Sequence, residues 1–224
     1  MSEHINIAID GPAGAGKSTV AKAIAQRMGI LYLDTGAMYR AMALKALRMG
    51  ISLGDKGRVL PLLEDTEVFA KNVEGTQHTY LDGEDVSGLI RTQEMGKAAS
   101  DISAIPEVRI KLAQFQREVA AHSSVVMDGR EIGSFVLPDC PNKFFVTATV
   151  EERARRRLEE LQAKGECMDK SLYEMAIELA QRDHNDSTRE FAPLKRMPDA
   201  ILIDTTDLTI DEAVEAVISR VSRS

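Results

Sequence analysis

Hydrophobic and polar positions follow two rhythms along this chain. Short apolar runs, several rich in β-branched residues, recur at Ile5–Asp10, Ile30–Leu33, Ser124–Met127, Lys143–Ala148 and Ala200–Asp204, and read as strands. Between them apolar residues return every third or fourth position. Val20, Ala21, Ile24, Ala25 and Met28 make such a face over 18–28, and Val108, Leu112, Phe115 and Val119 make another over 106–121, with Pro106 suited to a first helical turn. Segments 37–49, 58–64 and 91–101 also read as helical, and three S/T-x-x-E boxes predict helix starts at Thr149, Ser171 and Thr209. Strands alternating with helices predict an α/β fold: a parallel sheet with helices on both faces.

The stretch 67–90 departs from this alternation. Val68-Phe69-Ala70, Thr79-Tyr80-Leu81 and Val86 are separated by Glu74-Gly75 and Asp82-Gly83, which predicts a small antiparallel sheet inserted into the chain. Such an insert suits a lid or a substrate-binding subdomain.

The first strand runs into Gly11-Pro12-Ala13-Gly14-Ala15-Gly16-Lys17-Ser18, and a helix follows. This is G-x-x-x-x-G-K-[ST] between strand and helix, the phosphate-binding loop in its proper context. Its glycines let several N–H groups converge on one anion, and the helix N-terminus adds partial positive charge. Lys17 is expected to reach the β- and γ-phosphates and Ser18 to ligate Mg²⁺. Ligands of parallel sheets lie beyond the carboxyl ends of the strands, so Asp34-Thr35, Asp128-Gly129-Arg130 and the start of the helix at 150 are expected on the same rim.

Composition narrows the partners. The 224 residues are 44% hydrophobic with a net charge of −7, which argues against general nucleic-acid affinity and requires any anion to meet a local basic site. Cys140 and Cys167 have neither metal nor disulfide spacing and read as free thiols of a reducing compartment. No secretory leader and no membrane span are expected, so the chain is assigned to the cytoplasm, as a monomer. His4, His78, His122 and His184 are scattered and read as surface residues.

Asp128 ends a strand, where an acid can organise Mg²⁺ or merely cap a turn; the loop favours the former. Phosphoryl transfer also needs guanidinium groups, which bind phosphate oxygens bidentately. Arg40, Arg130 and the group Arg153, Arg155, Arg156 and Arg157 are candidates, although the last group equally suits a solvated face paired with Glu151, Glu152, Glu159 and Glu160. The polar run Arg182–Arg189 alone reads as a solvated helix end.

Taken together, these segments resemble the bacterial-type cytidylate kinases, within the nucleoside-monophosphate kinases of the P-loop class. The resemblance is carried by Ile9–Thr19, by Leu33-Asp34-Thr35-Gly36-Ala37-Met38-Tyr39-Arg40, by Gly83–Ser87, Ile90-Arg91-Thr92 and Ala98-Ala99-Ser100, by Asp128-Gly129-Arg130-Glu131-Ile132-Gly133, and by Arg182-Asp183 with Asp186-Ser187 and Arg189. It implies transfer of the γ-phosphoryl of ATP to CMP or dCMP with Mg²⁺. It also implies a core of about 1–34, 104–152 and 190–224, a monophosphate-binding insert of about 35–103, and a helical lid of about 153–189.

By the same resemblance, Gly11, Pro12, Ala13, Gly14, Ala15, Gly16, Lys17, Ser18 and Thr19 hold ATP. Thr35, Gly129 and Glu131 line the acceptor, and Arg40 and Arg130 bind its phosphate. Ser100, Arg109 and Arg189 read cytosine, and Arg182 and Asp186 contact the sugar. Lys17, Asp128, Arg130 and a lid arginine, Arg157, form the catalytic set. Glu131 stands where many members carry Asp, one methylene shorter. Other small-acceptor kinases (UMP, AMP or shikimate) are alternatives. A GTPase switch is disfavoured because Asn142-Lys143 is followed by Phe144-Phe145 instead of x-Asp.

Overall fold

Five strands pair side by side in the computed structural model, which describes residues 4–222; the extreme positions of the expected core segments, 1–3 and 223–224, lie outside them. β1 (Asn6–Asp10) is central, flanked by β6 (Val125–Gly129) and β7 (Asn142–Thr147), with β2 (Leu31–Asp34) and β8 (Ile201–Asp204) at the edges. All pairings in this sheet are parallel, in register Asp10↔Gly129, Asp10↔Phe145 and Asp34↔Asp128. β1 and β6 are buried on both faces, which is why they read as runs and not as alternation.

Helices cover both faces. α1 (Lys17–Met28) and α8 (Ile210–Ile218) pack against Ile7, Ile9, Val126, Phe144 and Val146. α2 (Thr35–Arg48), α4 (Gln93–Ile102) and α5 (Pro106–His122) pack over Ala8, Leu33, Val125 and Met127. The small sheet of β3 (Val68–Val73), β4 (Thr76–Leu81) and β5 (Glu84–Asp85) is antiparallel, with turns at the expected Glu74-Gly75 and Asp82-Gly83; α3 (Lys56–Glu64) precedes it. α6 (Val150–Ala163) and α7 (Leu172–Thr188) form a hairpin around Ala154, Leu161, Met175 and Leu179, which also covers Ala13 of the glycine loop.

Some boundaries move for identifiable reasons. α2 begins two residues before the expected Ala37 because the Asp34 side chain caps it, accepting from the Ala37 N–H at 2.9 Å. The helix expected from Arg91 begins at Gln93, capped by Thr92. The boxes at Ser171 and Thr209 close reciprocally, whereas at Thr149 only half a box forms: the Glu152 carboxylate is taken by Arg155 and Arg156, each at 2.7 Å. A π-helical turn, Ile132–Val136, follows β6 and had no precedent in the periodicity. Among the described residues no helix is long and apolar enough to cross a membrane.

Candidate active site

The carboxyl ends of the strands open into a cleft of ≈ 1010 Å³. Its floor is the loop between β1 and α1. Gly11 takes φ +148°, and a Cβ there would lie 1.9 Å from the Val146 carbonyl oxygen, so only glycine lets the chain turn this close to β7. Lys17 folds back over the loop, its buried ammonium donating to the Pro12 carbonyl at 2.6 Å. Burial, with Arg130 close by, holds that ammonium well below its ordinary pKa.

Ser18 faces Asp128. Its hydroxyl donates to one carboxylate oxygen at 2.7 Å, and the Tyr32 hydroxyl donates to the other at 2.8 Å. Burial, followed by Asp34 on the neighbouring strand, raises the pKa of Asp128, while these two hydroxyls favour the anion. The Thr35 hydroxyl donates to the Asp128 backbone carbonyl at 2.7 Å, tying the start of α2 to the end of β6. At Gly129 a Cβ would meet Ile132 at 2.7 Å and the Thr35 hydroxyl oxygen at 2.9 Å. Among the described residues no group of three His, Cys, Asp or Glu side chains could by itself hold a metal ion. The Ser18–Asp128 pair nevertheless fits Mg²⁺, which takes few protein oxygens and completes its shell with phosphate and water.

Guanidinium groups crowd the opposite wall. Arg40 pairs with Asp34 at 2.8 Å and Arg130 with Asp186 at 2.9 Å. Burial alone would raise the pKa of Asp34, but Arg40 and the Ala37 N–H hold it below its ordinary value. Asp186 behaves likewise, with Arg130, Arg182 and Arg189 overcoming its burial. Arg182 is pushed down to about 10 by burial and by the nearby charge of Arg130, Arg157 and Arg40. Its Nε and that of Arg40 are buried without a hydrogen-bond partner among the described residues. This wall therefore holds more positive charge and more free donors than its own carboxylates satisfy.

Deeper in, Glu131 is buried at 3% exposure among three partners. Tyr39 donates its hydroxyl to Oε1 at 2.6 Å, and Arg109 approaches the same oxygen at 2.5 Å as an ion pair without a well-aligned N–H bond. Arg189 lies 3.3 Å from Oε2. Arg109 also donates to the Ser103 carbonyl at 2.6 Å, and its guanidinium lies over the Tyr39 ring. Ser100, one turn from Ser103, lines the same space.

The expected residues from Ala13 to Thr19, and Thr35, Arg40, Ser100, Arg109, Asp128–Glu131, Arg157, Arg182, Asp186 and Arg189, all line this cleft. Gly11 and Pro12 act from behind the loop. The four α6 arginines separate. Arg153 is buried and clamps the loop, donating to the Ala13 carbonyl at 2.9 Å and to Asp183 at 2.6 Å. Arg155, Arg156 and Arg157 all line the cleft: Arg156 also binds Thr205, Arg155 pairs with Glu152 and Glu159, and Arg157 pairs with Glu160. Tyr32 and Tyr39 were not foreseen, since nothing local marks a tyrosine whose partner lies about ninety residues away.

Comparisons with known proteins identify the family of the chain. A family model described as cytidylate kinase matches residues 7–223. A cytidylate kinase of Caldicellulosiruptor bescii is 50% identical over 216 residues, 96% of this chain and 95% of its own. One from Pelotomaculum thermopropionicum is 47% identical over 223 residues, 99% of this chain and 98% of its own. Among solved structures, an uncharacterized protein from Eubacterium ventriosum aligns with TM-score 0.55 at 16% identity, covering 97% of this chain and 98% of its own. A shikimate kinase from Bacteroides thetaiotaomicron aligns with TM-score 0.50 at 16% identity, covering 96% and 97%; both show the shared fold alone. The glycine loop, the arginine wall and the buried Glu131 corner thus sit in a chain that matches one family almost end to end, and the chain belongs to the cytidylate kinase family.

Proposed function

We propose that the chain phosphorylates CMP and dCMP, taking the γ-phosphoryl group of ATP with Mg²⁺ present. The observation that carries this reading is the position of Arg182: a half-buried side chain whose Nε is buried without a partner among the described residues, lining the same cleft as Lys17 and close enough to Arg40, Arg130 and Arg157 to feel their charge. Such a wall fits an anionic acceptor held opposite a triphosphate.

In this reading Gly11–Thr19 cradle the ATP phosphates, and Ser18, with Asp128 behind it, would hold Mg²⁺, which would offset charge on the phosphate oxygens. Arg40 and Arg130 fix the acceptor phosphate. Thr35 and Gly129 shape the space beside it, and Arg182 and Asp186 take the sugar. Ser100, Arg109, Glu131 and Arg189 take the base. An acceptor phosphate oxygen attacks the γ-phosphorus, the bond to the β,γ-bridging oxygen breaks, and ADP leaves. No general base is needed, because the attacking oxygen is already anionic; Lys17 and Arg157 offset charge on the moving group.

Residues 35–103 act as the acceptor-binding insert and 153–189 as the lid, and their closure excludes competing water. The enzyme works as a cytoplasmic monomer; the free Cys140 and Cys167 suit a reducing compartment. The test is a coupled assay of ADP formation with CMP, dCMP, UMP, AMP and shikimate as acceptors. Preference for CMP and dCMP is expected, and a preference for AMP or shikimate would overturn the assignment.

A further inference from the structure

We propose that Asp10 is a positioning residue for the base-reading corner: its carboxylate sets the backbone that carries Arg130 and Glu131. The residue ends β1 and is 6% exposed. Its two oxygens accept from consecutive N–H groups, Ile132 to Oδ1 and Gly133 to Oδ2, each at 2.8 Å. Those N–H groups open the π-helical turn, where backbone donors have no partner from the turn itself. Sheet pairing ends at Gly129, so between that residue and the turn Arg130 and Glu131 have no strand ladder to fix them. The carboxylate of Asp10 is the anchor at the far end of this short span.

The turn has little room to settle elsewhere. A Cβ at Gly133 would lie 3.2 Å from the Lys143 side chain and 3.4 Å from Asp10 itself. The backbone of the glycine loop, by contrast, is held without this side chain. The Asp10 backbone is paired on both sides, with Gly129 and Phe145, and Gly11 packs directly against Val146. The charge is also kept at a cost. Burial, reinforced by Glu131 and only partly offset by the two N–H groups and Lys17, pushes the carboxyl up to about 6.

The inference rests on the functional reading above. The test is Asp10→Asn, whose amide accepts one of the two N–H groups and turns an NH₂ toward the other. KM for CMP should rise about tenfold, with KM for ATP within about twofold, because the acceptor corner moves and the backbone of the ATP loop does not. Asp10→Glu, which keeps the charge but pushes the turn outward, should also raise KM for CMP selectively. Equal losses for both substrates, unchanged CMP parameters, or failure of both variants to fold would overturn the inference. If the wild-type enzyme itself shows no preference for CMP, the functional reading fails; if it prefers CMP and Asp10→Asn keeps the same KM, only the role of Asp10 fails.

Discussion

Replacing Glu131 by Gln removes one charge and almost no volume, and its cost follows from what surrounds it. The two side chains of the Glu131–Arg109 pair are 4% and 2% exposed. Among the described residues Arg109 pairs with no other carboxylate; it also contacts the Ser103 carbonyl and the Tyr39 ring. Arg189 is better provided for, since Asp186 lies 3.2 Å away. Glu131→Gln therefore leaves one buried guanidinium uncompensated. Breaking a buried pair costs about 3–5 kcal/mol, and the lower end applies because the Gln oxygen still accepts a hydrogen bond. With a urea m-value of about 3 kcal/mol/M, the unfolding midpoint should fall by about 1 M. The decisive assay is a double-mutant cycle in urea with Arg109→Leu. In that background Glu131→Gln should cost about 1 kcal/mol or less, since no buried cation remains to be orphaned. An equal cost in both backgrounds would refute the argument.

Other expectations follow from the same coordinates. Lys17→Ala should lower kcat by at least about a hundredfold while leaving the urea midpoint near that of the wild type; near-normal turnover would sink the catalytic role of the loop lysine. Gly11→Ala, which drives a Cβ onto the Val146 carbonyl, should abolish thermal stabilisation by ATP, and a retained ATP-dependent shift in Tm would show that the loop tolerates the methyl. Arg189→Ala should weaken CMP far more than ATP in steady-state kinetics; equal loss for both contradicts its place in the base corner. Asp10 binds its proton more tightly folded, at about 6, than at the ordinary 3.8, so its contribution to stability is fully present below pH 3.8 and is lost as pH rises through about 6. That amounts to about 3 kcal/mol. The difference in unfolding free energy between wild type and Asp10→Asn should therefore shift in favour of the variant between pH 4 and pH 7, and a constant difference would refute it.

Which parts of this architecture could be read from the chain depends on how far apart the interacting residues lie. The glycine loop, the periodic faces of α1 and α5 and the Asp82-Gly83 turn are local, and local chemistry specifies them. The order β2-β6-β1-β7-β8 is not local, and neither is the pairing of Tyr32 with Asp128, which needs β2 and β6 in register. Arg153 and Arg157 sit one turn apart and look equivalent in sequence. Only the packing of α6 against Ala13 sends the first to clamp the loop and leaves the second facing the cleft. The half-formed box at Thr149 makes the same point: Glu152 has the spacing to cap, but two arginines compete for its carboxylate and take it.

The small inserted sheet bears on a different matter. β2 is an edge strand, and an edge offers peptide groups to any passing chain. At Asp34 that offer is withdrawn by Gln77 of β4, whose carboxamide oxygen accepts the Asp34 N–H at 2.6 Å while its NH₂ donates to the Asp34 carbonyl at 3.2 Å. One side chain thereby reproduces both bonds a neighbouring strand would make. The insert thus occupies the outward-facing peptide groups of Asp34, the last residue of this edge strand. Natural β-proteins blunt such edges with prolines, charges or bulges, and at Asp34 a single amide takes up both edge-facing groups.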